Sequence, residues 1–314
     1  MSFYRRYRLA LNLLGLVLLV ALIILFKIDL GQTLSYLARA NLFDLIVAVL
    51  LFVPFLASKA WRWQVILRDL DISISFSEAL KLYALGLGAG MITPGQIGDA
   101  VKVAYFRERG LGRATLSVVL DRLWDLLMLL LLATSGAFVF WNELQGEWLA
   151  VGALLVGTFI LLAFALNPRA QHYVITRLAK GLNLADTPVD NFQALELSGS
   201  QIARQSLLTL LATAVVYLRL YLLAHALDVQ LGVIPFVATM SIASVATLIP
   251  ISISGVGTRD AALLLIAPVI GITREQALGL SVLILLLSVI NGLVGYLAFS
   301  FAKSDSGANH APKG

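Results

Sequence analysis

Four aspartates and four basic residues stand in or beside apolar segments: Asp99, Lys102, Asp121, Arg122, Asp125, Arg219, Arg259 and Asp260. A lone charge at the centre of a membrane helix costs about 2.5–3.5 kcal/mol, so eight would cost roughly 20–28 kcal/mol. Such a set is tolerable only if acids meet bases, and their equal numbers allow it. Asp121 and Asp125 share a helix face at i, i+4, and Arg122 can meet Asp125 at i, i+3. With a helix start near Ala114, Asp121 lies about 10 Å in, too deep for a short side chain to reach bulk water. These residues are expected to face a cavity. Arg219, in "LLATAVVYLRLYLLAHAL", has no acid on its own helix, so a partner such as Asp260 or a ligand anion is expected. Asn291 reads as a helix–helix hydrogen bond and His225 as an interfacial residue.

Two of the charged stretches also carry helix breakers: "MITPGQIGDAVKV" from Met91 and "TLIPISISGVGTRDAA" from Thr247. Pro94 and Pro250 cannot continue a hydrogen-bonded helix, and Gly95, Gly98, Gly255 and Gly257 let backbone approach a ligand. Backbone groups freed at a break cost several kcal/mol each in hydrocarbon, by order of magnitude, so a break must sit inside protein or beside water. A helix beginning at Gly98 would turn its N-terminal N–H groups toward an anion. Ser254 or Thr258 would cap the corresponding helix of the second stretch. The candidate ligand-facing set is therefore Thr93, Pro94, Gly95, Gly98, Asp99, Lys102, Asp121, Arg122, Asp125, Arg219, Ser254, Gly255, Gly257, Arg259 and Asp260.

The elements that must position this set belong to a membrane. Of 314 residues 60% are hydrophobic and only 13% charged, with mean hydropathy +0.90; soluble domains carry about 25% charge. The net charge of +5 then marks a cytoplasmic face and not a nucleic-acid partner. With no cysteine, disulfides, thiolate metal sites and cysteine nucleophiles are excluded. His172, His225 and His310 are scattered, so no metal or other cofactor is expected. Apolar runs read as spans at Leu9–Phe26, Leu42–Ala60, Ala114–Trp141, Trp148–Leu166, Ser206–Leu227 and Gln276–Ala302. The broken stretches, 76–105 and 234–270, read as re-entrant hairpins. Trp61, Trp63, Trp141 and Trp148 read as interfacial belts, and Tyr173–Leu182 as a surface helix.

With Arg5, Arg6 and Arg8 placed inside, only Lys27, Arg39 and Arg274 among the 23 Lys and Arg fall outside. Lys102, Arg122, Arg219 and Arg259 fall within membrane segments, and all the others, Lys59 and Arg62 included, fall inside. This bias supports re-entrance and cytoplasmic termini. Each half reads span, span, hairpin, span, and three crossings per half invert the second. The expected fold is an all-α polytopic membrane protein, with about six full spans and two re-entrant broken helices in an inverted-topology repeat. The first repeat covers 1–141, the second 142–302, and 303–314 is a polar tail expected to be disordered. Broken helices at matching positions of inverted repeats point to a transporter's binding site.

"PGQIGDAVKV", "LSVVLDRLWDLLMLL" and "PISISGVGTRDAALL" together resemble the lysylphosphatidylglycerol synthase transmembrane, or flippase-like, family. The resemblance runs from about Tyr7 to Ala302. It places the family's first motif on Pro94, Gly95, Gly98 and Asp99, with Lys102 as the following base. Its Arg-x-x-Asp pair falls on Arg122 and Asp125, and its second motif on Gly255, Gly257, Arg259 and Asp260. Both hairpins carry aspartate where the family's usual acid is glutamate, and Lys102 stands at a position often held by arginine. The resemblance implies a lipid translocator in a prokaryotic cytoplasmic (inner) membrane. Its partner would be a phospholipid, glycolipid or polyprenyl-phosphate-linked lipid, with a homodimer compatible. Aminoacyl transfer to lipid is not expected. Two further readings of the residues stay open: a membrane glycosyl or phosphoryl transferase acting on a polyprenyl-phosphate lipid, and an exporter of a small soluble anion.

Overall fold

The computed structural model describes residues 17–91, 94–106, 111–140, 148–167, 198–248 and 257–308. Every regular element among them is helical. The α-helices are α1 (Val17–Leu25), α2 (Leu30–Ala38), α3 (Leu42–Leu50), α4 (Phe52–Asp69), α5 (Phe76–Met91), α6 (Leu111–Val139), α7 (Trp148–Leu166), α8 (Gly199–Ala226), α9 (Val233–Val245), α10 (Thr258–Ile266) and α11 (Arg274–Ala308). Three helices among the described residues are long and apolar enough to cross a membrane: Leu42–Asp69, which joins α3 to α4, α8, and Arg274–Tyr296 of α11. The pair α1 and α2 would be a fourth, but it bends by 106°. The bend falls at Lys27, whose φ is 49°. Asp29 then caps α2 by accepting from the Gln32 N–H at 3.0 Å, so a helix lies between the apolar runs that end at Phe26 and begin at Leu42.

Two boundaries depart from the apolar runs. The run from Leu42 ends at Ala60, yet α4 continues to Asp69, because Lys59 and Arg62 find carboxylates inside the protein. At the start of α8, Ser198 accepts from the Gln201 N–H at 3.3 Å while the Gln201 side chain accepts from the Ser198 N–H at 2.8 Å. This capping box starts the helix well before the apolar run at Ser206.

Both stretches that carry helix breakers are interrupted. The helix α5 gives way to a 3₁₀ segment, Pro94–Phe106, and α9 gives way to a short 3₁₀ turn, Ala246–Leu248, before α10. Residues 92–93 and 249–256 lie outside the described residues. A 3₁₀ run of 13 residues is unusual, since such runs rarely exceed about four. It replaces the α-helix expected from Gly98. The three-residue period supplies a reason: it stacks Asp99 over Lys102 in one column, where an α-helix would rotate them about 60° apart. A second column, Val103 and Phe106, is buried.

Among the described residues the packing falls into a small apolar core, Ile66, Leu70, Leu116 and Leu120 between α4 and α6, and two large ones. Trp63, Tyr83, Phe106 and Val118 belong to one, built by α4, α5, the 3₁₀ segment and α6. The other gathers Leu223, Phe236, Leu263 and Leu283 from α8 to α11, with Ala48 of α3. Two long crossings stitch the cores together, α5 along α11 and α9 along α6, and α4 lies along α8. Each stitch is a backbone contact. A Cβ on Gly295 of α11 would stand 2.6 Å from the Ala84 carbonyl oxygen of α5, and one on Gly136 of α6 would stand 2.8 Å from Ala238 Cα of α9. The neighbours there are backbone and cannot swing aside. Gly295→Val and Gly136→Val are therefore expected to destabilise the fold by about 1–3 kcal/mol, read as a lower melting temperature in detergent.

Candidate functional site

Five elements converge on one buried charge network. Arg62 of α4 is fully buried and bonds through all three guanidinium nitrogens. Its Nε and Nη2 donate to Asp121 Oδ1 at 3.0 and 2.6 Å, and Nη2 also reaches the Asp121 carbonyl at 3.1 Å. Its Nη1 donates to Asp125 Oδ1 at 2.6 Å and to Thr209 Oγ1 of α8 at 3.3 Å. One turn before it on α4, Lys59 Nζ donates to the same Asp125 oxygen at 2.6 Å. Tyr83 of α5 donates its hydroxyl to Asp121 Oδ2 at 3.0 Å. The fork shape of guanidinium lets one residue hold two carboxylates on α6.

The 3₁₀ segment adds the remaining pairs. Lys102 Nζ lies 3.0 Å from Asp99 Oδ2 and 3.6 Å from Asp121 Oδ2. It makes no hydrogen bond, so both attractions are Coulombic. The ammonium sits over the rings of Tyr83 at 4.1 Å and Trp63 at 4.8 Å, which favour a cation through their π-faces. Arg122 Nη2 reaches Asp99 Oδ2 at 2.9 Å. A Cβ on Gly86 of α5 would overlap Asp99 Oδ1, so glycine is what lets the Asp99 carboxylate lie against that helix. Arg122 and Asp125 form the network's open edge, with side chains 37% and 26% exposed.

The network holds four cations, Lys59, Arg62, Lys102 and Arg122, against three carboxylates, Asp99, Asp121 and Asp125. Among the described residues one positive charge is left over. Of the expected set, Asp99, Lys102, Asp121, Arg122 and Asp125 do come together. The expected Arg122–Asp125 pair does not form. Asp121 and Asp125 point to α4, whereas Arg122 is turned about 100° around α6 from Asp121 and faces Asp99.

Four other expectations need correction. Lys59 and Arg62 are not cytoplasmic loop charges but members of the network. Trp63 is no interfacial belt residue: it is fully buried and donates to Ser117 Oγ at 2.9 Å. Arg219 pairs with no described carboxylate; it donates to the Ala48 carbonyl and to Asn291 Oδ1, both at 2.8 Å. Asn291 thus makes the helix–helix bond expected of it, and His225 at the end of α8 lies 2.7 Å from Asp44. Thr258 is not the cap of α10, because Gly257, at φ 93°, holds that position. Asp260 Oδ2 accepts from the Gly257 N–H at 3.0 Å, and Asp260 Oδ1 accepts from Arg259 Nη2 at 2.8 Å. No described ion pair links this buried pair to the Arg62 network. Pro94, Gly95 and Gly98 lie on the 3₁₀ segment, whereas Thr93, Ser254 and Gly255 lie outside the described residues.

Lys59, Arg62, Tyr83 and Thr209 escaped the sequence reading. A signal was present: Lys59 and Arg62 are i, i+3 in "SKAWRWQ", with no glycine or proline to end the helix after Pro54. Three acids in the first half also outnumber Lys102 and Arg122, so a further buried base was required.

The pattern of the lysylphosphatidylglycerol synthase TM region matches residues 12–295, nearly the whole chain. The chain belongs to that family. The UPF0104 membrane protein PH1989 of Pyrococcus horikoshii is 25% identical over 114 residues, and the match covers 34% of each chain. The chain thus aligns with about a third of the length of the curated relative it matches. As a member of that family, and with its long apolar helices, the chain is an integral membrane protein.

Within it, charges differ in what their removal should cost. Arg62→Ala leaves Asp121 and Asp125 with too few partners and is expected to destabilise the protein by about 3–5 kcal/mol. Arg122→Gln, at the open edge, should leave the melting temperature nearly unchanged. Thermal unfolding of the two variants side by side checks the contrast.

Proposed function

We propose that this chain translocates a lipid, passing a phosphate-bearing head group along the Arg122 edge of the charge network while the hydrocarbon tails stay in the bilayer. The excess positive charge carries this reading. Counted over the described residues, a buried site with four cations for three carboxylates is short of one anion, and a phosphate supplies it. Arg122 is the residue positioned to exchange. It is half-exposed and held by Asp99, so a phosphate oxygen can replace the carboxylate on the guanidinium, and Asp99 retains Lys102 nearby. When the head group leaves, Asp99 returns to Arg122. The exchange takes the network from one excess positive charge to neutrality and back, and involves no bond-making chemistry.

The topology that fits is an inverted repeat, 1–141 and 142–302, with six spans and two re-entrant segments. Exchanging the halves turns the α5–α11 crossing into the α9–α6 crossing, and each has a glycine against an alanine. It also turns Arg62, bound to α6, into Arg219, bound to α11. In this reading the protein lies in a prokaryotic inner membrane with both termini cytoplasmic. The Arg259–Asp260 pair is the second segment's counterpart of Lys102 and Asp99. Glycosyl or phosphoryl transfer suits the network less, since each of its carboxylates is already held by a base.

Reconstitution in liposomes with fluorescent phosphatidic acid or a polyprenyl-phosphate sugar tests the reading. Wild type should make the inner-leaflet label accessible to an external quencher. Arg122→Gln should slow this roughly tenfold to a hundredfold, the worth of one charge-assisted hydrogen bond. Equal rates in wild type, variant and empty liposomes for every such lipid would remove the proposal.

A further inference from the structure

Arg219 is a buried guanidinium without an acid among the described residues. It is 3% exposed, and its partners are a carbonyl oxygen, an amide oxygen and two rings. Its guanidinium carbon lies 5.7 Å from the Phe52 ring and 5.2 Å from the Phe55 ring. None of these groups carries a negative charge. Ionisable groups inside membrane proteins pair with one another or with backbone carbonyls and mark substrate or ion pathways, so a buried cation whose described partners are all neutral marks a candidate site for an anion. Asn291 strengthens that reading: its oxygen is used by Arg219, which leaves its amide N–H groups as donors.

The α11 backbone next to Asn291 is placed relative to Asp99 by α5. On one side of α5, Gly86 abuts Asp99 and the Lys102 stem; on another, Gly88 abuts α11, with the Gly292 carbonyl 3.2 Å from where a Cβ would stand. Residues two apart on a helix point about 200° from each other and differ in height by about 3 Å. Asp99 and Gly292, the neighbour of Asn291, therefore flank α5 on opposite sides at nearly one depth. Between them α5 has backbone and no side chain. The pair Phe52 and Ala48 lies where α3 gives way to α4, which frees the Ala48 carbonyl for Arg219.

We propose that Arg219 and Asn291 form a second station for a phosphate-type anion, beside the stretch of α11 that lies across α5 from Asp99. This rests on the reading that a phosphate-bearing group passes through the protein. The two stations take the same chemistry, but differently. The first releases a carboxylate when the anion arrives, whereas the second has no carboxylate to release and binds by charge and two amide donors alone.

The test is equilibrium binding of radiolabelled short-chain phosphatidic acid, and separately of inorganic phosphate, to the full chain in phosphatidylcholine nanodiscs. Wild type should bind two phosphatidic acids. Arg219→Gln and Arg122→Gln should each bind one, and the double variant none, each lost site weakening roughly tenfold or more. Asn291→Asp supplies Arg219 with a carboxylate in place, so it keeps the guanidinium packed and should also bind one. If Arg219→Gln fails to fold, Asn291→Asp decides alone. Saturation of inorganic phosphate at the Arg219 site would assign it to the free anion as well; saturation by phosphatidic acid only would assign it to lipid phosphate. Two sites persisting in Arg219→Gln and Asn291→Asp, or a single site in wild type, would overturn the second station. Loss of binding in Arg219→Gln with none in Arg122→Gln would overturn the first station and leave the second standing.

Discussion

Arg62 sits at 0% exposure between two carboxylates on α6 and a hydroxyl on α8, and the arrangement of the charged interior follows from satisfying it. A guanidinium removed from water needs all of its donors used and its charge neutralised. That requirement draws α6 against α4 at Asp121 and Asp125. It aligns Thr209 of α8 on the other side. Once Asp121 is fixed, Tyr83 and Lys102 are placed by its second oxygen, and Lys102 in turn holds Asp99. The 3₁₀ winding of Pro94–Phe106 is the backbone form that lets Asp99 and Lys102 reach that position together.

The same requirement extends along the α4–α8 seam. Asp69 at the end of α4 accepts from Gln201 at 3.2 Å, from Arg204 at 2.5 Å and from Gln205 at 3.0 Å. Gln201, Gln205 and Thr209 recur every four residues on α8, so they form one polar stripe facing α4. Apolar helices in lipid gain little from hydrophobic contact with one another, and such hydrogen bonds together with close glycine crossings supply the specificity. Polar seam and glycine stitches thus divide the work: the seam joins α4 to α8, and the stitches join each first arm to the far half.

A rigid interior and an exchangeable edge coexist within a few ångströms. Arg62, Lys102 and Asp121 are sealed and each is held by several partners, so their energies are committed to the fold. Arg122 and Asp125 reach the open edge, where a partner can be exchanged without burying a lone charge. Arg219 stands apart from both, packed as firmly as Arg62 but without a carboxylate. The contrast between these arginines is one of partners and not of depth.

Composition and the local pattern of breakers settled much by themselves. They determined the membrane class, the interruption of both glycine-proline stretches, the buried charges at Asp99, Lys102 and Asp121, and the helix–helix role of Asn291. Each of these rests on residue type or on neighbours close in the chain, which a sequence displays directly. Tertiary structure alone decided who pairs with whom. Lys59 and Arg62 lay hidden because hydropathy falls at charged residues whether water or an aspartate 59 residues away receives them. Trp63 looked interfacial for the same reason, since its partner Ser117 belongs to another helix. The turn from Arg122 toward Asp99, and the lack of an acid beside Arg219, depend on which helix faces cross. Helical period shows that a face exists; only the packing of helices far apart in sequence selects what it meets.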